Sequence, residues 1–264
     1  MLDTQSIQYD LKDSFIVYLA GIYAGIVTPG RFGEFVKAVY LKSDNGISLS
    51  KSMSSVLVDR LFDLYLLIIL GFVGVWQFDI LGKLSNTSLL LLIIFISSPL
   101  LILNKQLMGR LIGFIYKSIS KKKTQIRNKI EERFEDFYNG IKQLINFKLL
   151  FSALLTCLSY SVFFIQCYLI VIAMGIPINF ITITLFMAIS SLISFIPISI
   201  FGLGTRDATL IYLFSRIGLK PELAVSYAFL VFVIFFVCGG LMGAMAWWVK
   251  PVTIATYSKK ATLK

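Results

Sequence analysis

The sequence contains no histidine, and its three cysteines all lie inside apolar runs. Histidine is the commonest general base and the commonest transition-metal ligand, and a reactive cysteine needs a polar neighbourhood that stabilises its thiolate. We therefore expect Cys157, Cys167 and Cys238 to be small core residues. The same absences argue against an enzyme, so we expect no catalytic residues, no metal and no cofactor.

Charged residues are also scarce: they make up 15% of the 264 residues, whereas 57% are hydrophobic. Soluble domains are typically about 25% charged. The composition therefore predicts a membrane protein. The formal net charge is nevertheless +11, and residues 105–148 hold eleven Lys or Arg against four Asp or Glu, which is +7 of that total. Basic residues gather in cytoplasmic loops, so we interpret the excess as an orientation signal and expect no nucleic-acid partner.

Four apolar stretches are predicted to be membrane-spanning helices, which need about 20 residues. They are residues 56–76, 87–103, 147–174 and 223–249, of which 87–103 is slightly short but carries no charge. Between the second and third lies the basic loop, residues 105–146, which we place in the cytoplasm. Within it, Ile130, Phe134, Phe137 and Ile141 recur at helical spacing. This spacing predicts an amphipathic helix over residues 127–144 that lies at the cytoplasmic interface.

Two further apolar segments are interrupted by prolines and glycines. Residues 14–27 run into "TPGRFGE", and residues 180–200 run into "FGLGTRD"; helical patterns follow at residues 31–42 and 205–217. One interpretation is an ordinary span followed by a surface helix. The other is a broken helix that forms a re-entrant hairpin, over residues 14–42 and again over residues 180–217.

The distribution of basic residues favours the hairpins. If residues 180–217 return to the outer side, the last span ends inside and Lys250, Lys259, Lys260 and Lys264 are cytoplasmic, as the positive-inside pattern requires. Residues 14–42 then enter from the cytoplasm. We therefore predict an all-α, multi-pass plasma-membrane protein, a single domain over residues 1–264, with two broken helices in inverted orientation. In such repeats the half-helix N-termini point at an anionic substrate near the midplane.

The first break has the residues of an anion site. Gly30 and Gly33 permit a close approach of backbone or ligand, and Arg31 offers a planar fork that matches a phosphate. A helix that starts here presents free N–H groups. The alternative is structural, because Arg31 and Glu34 lie three residues apart and could pair with each other.

The second break repeats these features. Gly202 and Gly204 allow irregular backbone, and Arg206 supplies the guanidinium. Asp207 would, in the structural alternative, only complement a helix N-terminus. Charge at membrane depth is costly and usually marks a pathway, so two such breaks together favour a functional phosphate site.

A third polar group, Asp59, Arg60 and Asp63, lies at the start of the first clear span. The i, i+3 spacing of Arg60 and Asp63 predicts a structural ion pair. The functional alternative is a set of supporting charges that hold Arg31 in place.

These motifs together resemble the lysylphosphatidylglycerol synthase transmembrane family, the flippase-like domain of multiple peptide resistance factors and of stand-alone membrane proteins. The resemblance rests on P-G-R-x-G-E at residues 29–34, on the acidic-Arg pair with Asp63 after it, and on G-x-G-x-R-[acidic] at residues 202–207. It covers residues 14–250 in motif order. Asp207 departs from the pattern, because members more often carry glutamate there. Members also have additional spans before the first motif, which raises the question of whether this chain lacks N-terminal spans.

The resemblance implies a lipid-handling protein, flippase-like for a phospholipid or another anionic lipid. Its expected partners are membrane lipids, and a second copy of the chain or an enzyme that makes or uses the lipid. Two other functions stay open. One is a small-solute or ion transporter, since broken helices serve those as well. The other is a membrane-embedded lipid transferase with Glu34 or Asp207 as its base.

Overall fold

Helices make up almost the whole of the structure. The computed structural model describes residues 9–80, 124–144, 146–195, 199 and 202–251, and no strand occurs among them. The predicted all-α class is therefore confirmed. The α-helices are α1 (Leu11–Val27), α2 (Val36–Asn45), α3 (Leu49–Gln77), α4 (Thr124–Leu144), α5 (Lys148–Ala173), α6 (Phe180–Ser194), α7 (Thr205–Arg216) and α8 (Pro221–Val249). A 3₁₀ segment, Pro29–Phe35, joins α1 to α2, and a π-helical turn, Phe232–Cys238, lies inside α8.

Helices α1 and α2 form a hairpin with the first break at its tip. Helix α1 ends at Val27 because Thr28, which precedes a proline, takes extended backbone. Regular helix resumes only at Val36, five residues later than the sequence pattern predicts. At the open end of the hairpin, Lys250 Nζ lies 3.2 Å from Asp13 Oδ1 and 2.8 Å from Asp44 Oδ2. The start of α1, the end of α2 and the end of α8 therefore meet at one end of the bundle.

The lysine at this junction keeps its charge. Burial lowers the pKa of Lys250, but the hydrogen bonds to Asp44 and Asp13 outweigh burial and raise the pKa above its usual value. The Tyr9 hydroxyl also donates to Asp44. The junction is thus a small ion-pair cluster that ties three helix ends together.

Helices α6 and α7 form a second hairpin whose open end lies at the other end of the bundle. Arg216, the last residue of α7, donates to the carbonyl oxygens of Phe78 at 3.3 Å and Asp79 at 3.0 Å, just beyond α3. Helix α3 starts next to the end of α2, and its 29 residues cover about 40 Å. The two hairpins therefore extend from opposite ends toward each other.

Among the residues that the structure describes, two helices are long and apolar enough to cross a membrane: Leu149–Ala173 and Pro221–Val249. Only 22% and 17% of their most apolar stretches are buried, so these are not the core helices of a soluble protein. They agree with the spans predicted at residues 147–174 and 223–249. The span predicted at residues 56–76 lies within α3, and the one at residues 87–103 lies outside the described residues.

The largest buried cluster joins five helices. Leu67, Cys167, Phe186, Phe214 and Tyr227, from α3, α5, α6, α7 and α8, pack together in it. The expectation of buried cysteines holds only for Cys167; the other two lie exposed on the apolar spans α5 and α8. Small exposed thiols are accommodated there because these helices present an apolar surface anyway.

Two other contacts complete the packing. Helix α1 lies against α8 so closely that a Cβ at Gly243 would approach the Leu19 carbonyl oxygen to 2.6 Å. Helix α4 includes residues 127–144, which were predicted to form an amphipathic helix. Its residues Ile141 and Leu144 are buried against Val58 of α3. The apolar stripe of α4 therefore faces protein over this part of its length.

Candidate functional site

A cavity of about 750 Å³ lies where the two hairpins meet. Both break arginines, Arg31 and Arg206, line it. The other wall residues come from α1, α3, α5, α6 and α8, and many are apolar, among them Ile22, Leu67, Leu158, Val162, Met187 and Phe235. The fold therefore brings the two sequence motifs to one cavity, although Arg31 and Arg206 are 175 positions apart in the sequence.

The first break holds Arg31 in an uncommon backbone conformation. Gly30 and Arg31 have φ angles of 60° and 59°, in the left-handed region that disfavours residues with a Cβ. The Gly33 N–H donates to Thr28 Oγ1 at 2.6 Å, so this N–H is not free for a ligand as the sequence had suggested. A Cβ at Gly33 would lie 2.0 Å from the Ala24 carbonyl oxygen, which explains why a glycine stands there.

The side chain of Arg31 is exposed to the cavity. Its guanidinium carbon lies 5.7 Å from the centre of the Phe195 ring. No ion pair joins Arg31 to any residue in the part of the chain that the structure describes. Its planar fork is therefore available to a ligand.

Glu34 does not pair with Arg31, the cation that the sequence spacing suggested, but with two other cations. It is 5% exposed, and its two carboxylate oxygens accept from Lys37 Nζ at 3.1 Å and Arg60 Nη1 at 3.0 Å. The alternative of an Arg31–Glu34 pair is therefore wrong as a description of this structure. Glu34 instead fastens the hairpin tip to α3.

Arg60 is the centre of this network. Besides Glu34, its Nη2 contacts Asp63 Oδ2 at 2.9 Å and Asp59 Oδ2 at 3.3 Å. The expected i, i+3 pair of Arg60 and Asp63 is present, and the three carboxylates surround Arg60 directly. Among the described residues none of them forms an ion pair with Arg31, so Asp59 and Asp63 do not hold Arg31 by direct contact, which was their functional alternative.

At the second break Arg206 is buried and held in place. Its side chain is 3% exposed. Two of its nitrogens bind Asp207: Nη2 donates to Asp207 Oδ1 at 2.9 Å, and Nε donates to the same oxygen at 3.1 Å. Nη2 also donates to the Ala228 carbonyl oxygen at 3.2 Å. The guanidinium also lies over the Phe236 ring. Its Nη1 is buried and has no hydrogen-bond partner among the described residues. One donor of the Arg206 guanidinium is thus left unsatisfied.

Asp207 has a structural task at the start of α7. Its Oδ2 accepts from the Gly204 N–H at 3.1 Å, as a residue three positions into a helix does in a capping box. Gly202 and Gly204 have φ angles of 69° and 84°, so both use the left-handed freedom of glycine. The expectation that Asp207 complements a helix N-terminus agrees with this geometry.

The sequence-derived residues divide into two sets. The cavity wall contains Gly30, Arg31, Glu34, Arg60, Asp63, Gly202 and Arg206. Set back from it are Gly33, Asp59, Gly204 and Asp207, which shape the backbone or pair with the wall residues.

Several contributors were missed from the sequence. Lys37 is the second cation of Glu34, and its position three residues after Glu34 could have indicated it. Gly21 and Gly25 form a G-x-x-x-G pattern on α1 that was overlooked. A Cβ at Gly25 would lie 2.5 Å from Glu34 Cγ, and one at Gly21 would lie 2.5 Å from Lys37 Cε. These two glycines make the room in which the buried ion pair lies.

Comparison with known proteins gives the family. A family model described as the lysylphosphatidylglycerol synthase TM region matches residues 1–243. The chain belongs to the lysylphosphatidylglycerol synthase transmembrane family. The resemblance seen in the three motifs is thereby confirmed, and with it a membrane location.

Membrane proteins of two organisms are similar to this chain. The chain is similar to the UPF0104 membrane protein MJ1595 of Methanocaldococcus jannaschii, with 24% identity over 90% of this chain and 74% of the relative. A UPF0104 membrane protein of Methanothermobacter thermautotrophicus is 26% identical over 89% of this chain and 73% of its own length. No solved structure matches the chain.

Proposed function

We propose that this protein moves an anionic phospholipid across the membrane, as a flippase-like translocase. The observation that carries the proposal is the shared cavity: an arginine from each break lines it, beside a largely apolar wall. A phospholipid has the matching chemistry, because it combines a phosphate with long apolar chains. Family membership supports a lipid-related role but does not by itself name the activity.

The arrangement of helix ends supports two re-entrant hairpins. The open end of the first hairpin lies beside Lys250, and that of the second lies beside the far end of α3. If the Lys250 end is cytoplasmic, as the basic-residue pattern predicts, the first hairpin enters from the cytoplasm and the second from outside. Neither tip then needs to cross the whole bilayer, and both reach the cavity. Broken helices that meet in this way are typical of alternating-access carriers built from inverted repeats.

The two arginines suit a phosphate in different ways. Arg31 can offer its full bidentate fork, whereas Arg206 offers only Nη1 because its other donors are bound. Charge-assisted bonds of this kind contribute about 1.5–3 kcal/mol each. Leu155, Leu158 and Val162 of α5 are both exposed and part of the cavity wall, so they form a rim past which acyl chains reach lipid.

The enzyme alternative has less support from the site. A general base has to take up a proton, and neighbouring cations lower the proton affinity of a carboxylate. Glu34 already accepts from Lys37 and Arg60, and Asp207 accepts from Arg206 and the Gly204 N–H. Both candidate bases are therefore committed to structural contacts.

Lipid scrambling in reconstituted vesicles tests the proposal. The full chain is placed in vesicles that contain a fluorescent phosphatidylglycerol, and the fraction exposed to an external quencher is followed with time. We expect Arg31→Ala and Arg206→Ala to slow translocation by about tenfold or more, the loss of one charge-assisted contact. Arg31→Lys keeps the charge but loses the fork, so it should retain part of the rate.

The matched control is Arg216→Ala. Arg216 is also an arginine of α7, but it binds the Phe78 and Asp79 carbonyls away from the cavity wall. Its removal should leave translocation at the parental rate in protein that folds. Folded Arg31→Ala and Arg206→Ala proteins that move lipid at the parental rate would overturn the proposal, and inhibition by a small anion but not by lipid would favour a solute transporter.

A further inference from the structure

The ion-pair network under the first break has more carboxylates than cations. Glu34, Asp59 and Asp63 share Arg60, and Glu34 also binds Lys37. Three negative side chains therefore contact two positive ones. This network carries one surplus negative charge when all its carboxylates are ionised.

The remaining cavity charges compensate that surplus. Arg206 and Asp207 form a neutral pair at the second break. Arg31, which has no ion pair among the described residues, contributes one positive charge that acts on both Glu34 and Asp63. In the described part of the chain, the side-chain charges around the cavity therefore balance, with Arg31 as the counter-charge of the network.

An anionic ligand disturbs this balance. A phosphate bound to Arg31 neutralises the counter-charge and leaves the surplus carboxylate uncompensated in a largely apolar cavity. An uncompensated charge in such a place is expensive, and a carboxyl group avoids the cost by taking up a proton. The site therefore binds an anion more easily when one proton enters with it.

Asp63 is the carboxylate placed to take that proton. It lines the cavity, whereas Asp59 does not, and Glu34 is held by two cations. Its single ion-pair partner is Arg60, which it shares with the two other carboxylates. Of the carboxylates that line the cavity, Asp63 is thus the one that nearby cations stabilise least in its ionised form.

Among the described residues, the only proton acceptors of similar strength around Asp63 are the carboxylates already named. The groups that act on it or feel its charge are Arg60 and Asp59 of α3, Glu34 and Arg31 of the 3₁₀ segment, Tyr18 of α1 and Tyr160 of α5. Lys37 of α2 reaches it only through Glu34. Helix α6 has no ionisable side chain, and α4 packs on α3 through Phe137, Ile141 and Leu144.

We infer that the anionic lipid is bound together with one proton, which Asp63 takes from solvent when the phosphate contacts Arg31 and returns when the lipid leaves. This inference rests on the proposed lipid function and deepens it, since it makes the protein a proton-coupled lipid carrier. A metal cation is a weaker candidate for the same task. Among the described residues no group of three or more His, Cys, Asp or Glu side chains is placed to hold one.

The test measures binding of dioctanoylphosphatidylglycerol to the purified full chain by calorimetry between about pH 5 and pH 8. Titrations in buffers of different ionisation enthalpy count the protons taken up. At pH values where Asp63 is ionised before the lipid binds, we expect the uptake of about one proton per lipid. The affinity for the lipid should be highest at low pH and should fall by up to about tenfold per pH unit as the pH rises. Dioctanoylphosphatidylcholine, whose headgroup carries its own cation, should show no such proton uptake.

Two variants locate the proton. Asp63→Asn should bind the anionic lipid with an affinity that no longer changes with pH, and Asp63→Glu should restore the pH dependence. Asp59→Asn cancels the surplus charge but leaves Asp63 in place, so it should bring the proton uptake close to zero and thereby tests the charge count separately from the identity of the proton acceptor. Proton counting in the unmodified chain decides the matter even if Asp63→Asn does not fold.

The outcomes separate this inference from the proposed function. No binding of phosphatidylglycerol at any pH would overturn both. Binding without proton uptake would overturn the coupling alone and leave lipid transport standing. Proton uptake that persists unchanged in folded Asp63→Asn, or a dependence on sodium in place of pH, would show that Asp63 does not carry the proton.

Discussion

The two breaks have similar sequences but hold their arginines in different ways. Arg31 stands on left-handed backbone, is exposed to the cavity and has no ion pair among the described residues. Arg206 is 3% exposed, and Asp207 and the Ala228 carbonyl hold it. The acidic residue of the first break, Glu34, is not the partner of its own arginine, as Asp207 is, but binds Lys37 and Arg60.

This difference indicates a division of tasks between the hairpins. The second break supplies a fixed donor whose position is set by the fold. The first break supplies an adjustable arginine on a tip that the Glu34 network anchors to α3. The carrier function that we propose would use such a combination, because one group has to define the site while another has to engage and release the ligand.

The largest expected effect belongs to the anchor of the first break. Glu34→Ala leaves Lys37 and Arg60 without their shared carboxylate in a buried place, and we expect a loss of about 3–5 kcal/mol in the free energy of unfolding. Thermal unfolding of the purified protein in detergent measures it. Asp59→Ala, which removes a more exposed carboxylate from Arg60, is the control and should cost about 1 kcal/mol or less. Equal losses in the two variants would show that Glu34 is not the anchor.

A second prediction concerns the tips of the hairpins. Gly33→Ala places a Cβ 2.0 Å from the Ala24 carbonyl oxygen, so we expect a loss of about 3 kcal/mol from overpacking. Gly204→Ala meets open space and bears only the strain of its left-handed backbone, about 1 kcal/mol. The same unfolding measurement ranks the two. A larger loss for Gly204→Ala would contradict the description of the first tip as the more tightly packed one.

The third prediction concerns the fixed arginine. Arg206→Ala leaves the Ala228 carbonyl without this donor and Asp207 without its cation, so stability should fall by about 1–3 kcal/mol. Arg31→Ala should change stability by less than about 0.5 kcal/mol, because an exposed side chain without such contacts is lost. Comparable destabilisation by the two alanine variants would remove the distinction between a fixed and an adjustable arginine.

The fourth prediction concerns the strained backbone of the first break, and its expected effect on stability has the opposite sign. Arg31→Gly removes the left-handed strain at φ 59° and should stabilise the protein by about 1 kcal/mol, while it weakens binding of phosphatidylglycerol. Melting temperature and lipid affinity, measured on the same preparation, are the two readouts. Stabilisation without loss of lipid affinity would mean that the strained arginine has no part in binding.

Much of this architecture could be predicted from the sequence because hydropathy and charge act along the chain. Length and composition gave the spans at α5 and α8, and helical periodicity gave α4. The partners of Glu34 could not be predicted in this way. Arg60 lies 26 positions further along the chain, and its contact with Glu34 depends on how the hairpin tip packs on α3.

The same limit applies to the backbone of the breaks. Proline and glycine marked where each helix stops, but they did not show that Thr28 would bind the Gly33 N–H or that regular helix would resume only at Val36. Those details follow from local hydrogen bonds that compete with helix formation. The G-x-x-x-G pattern of Gly21 and Gly25 is visible in the sequence, and it would have indicated that α1 packs closely against the residues that follow the first break.

The central claim is that Arg31 and Arg206 bind one and the same lipid phosphate, and a double-mutant cycle tests it most directly. Affinity for dioctanoylphosphatidylglycerol is measured for the unmodified chain, Arg31→Ala, Arg206→Ala and the double variant, each in its folded fraction. A shared phosphate predicts a coupling free energy of about 0.5–3 kcal/mol between the two substitutions, and none for the control cycle of Arg31 with Arg216. Additive effects in the first cycle, or an affinity that either substitution leaves unchanged, would contradict the account.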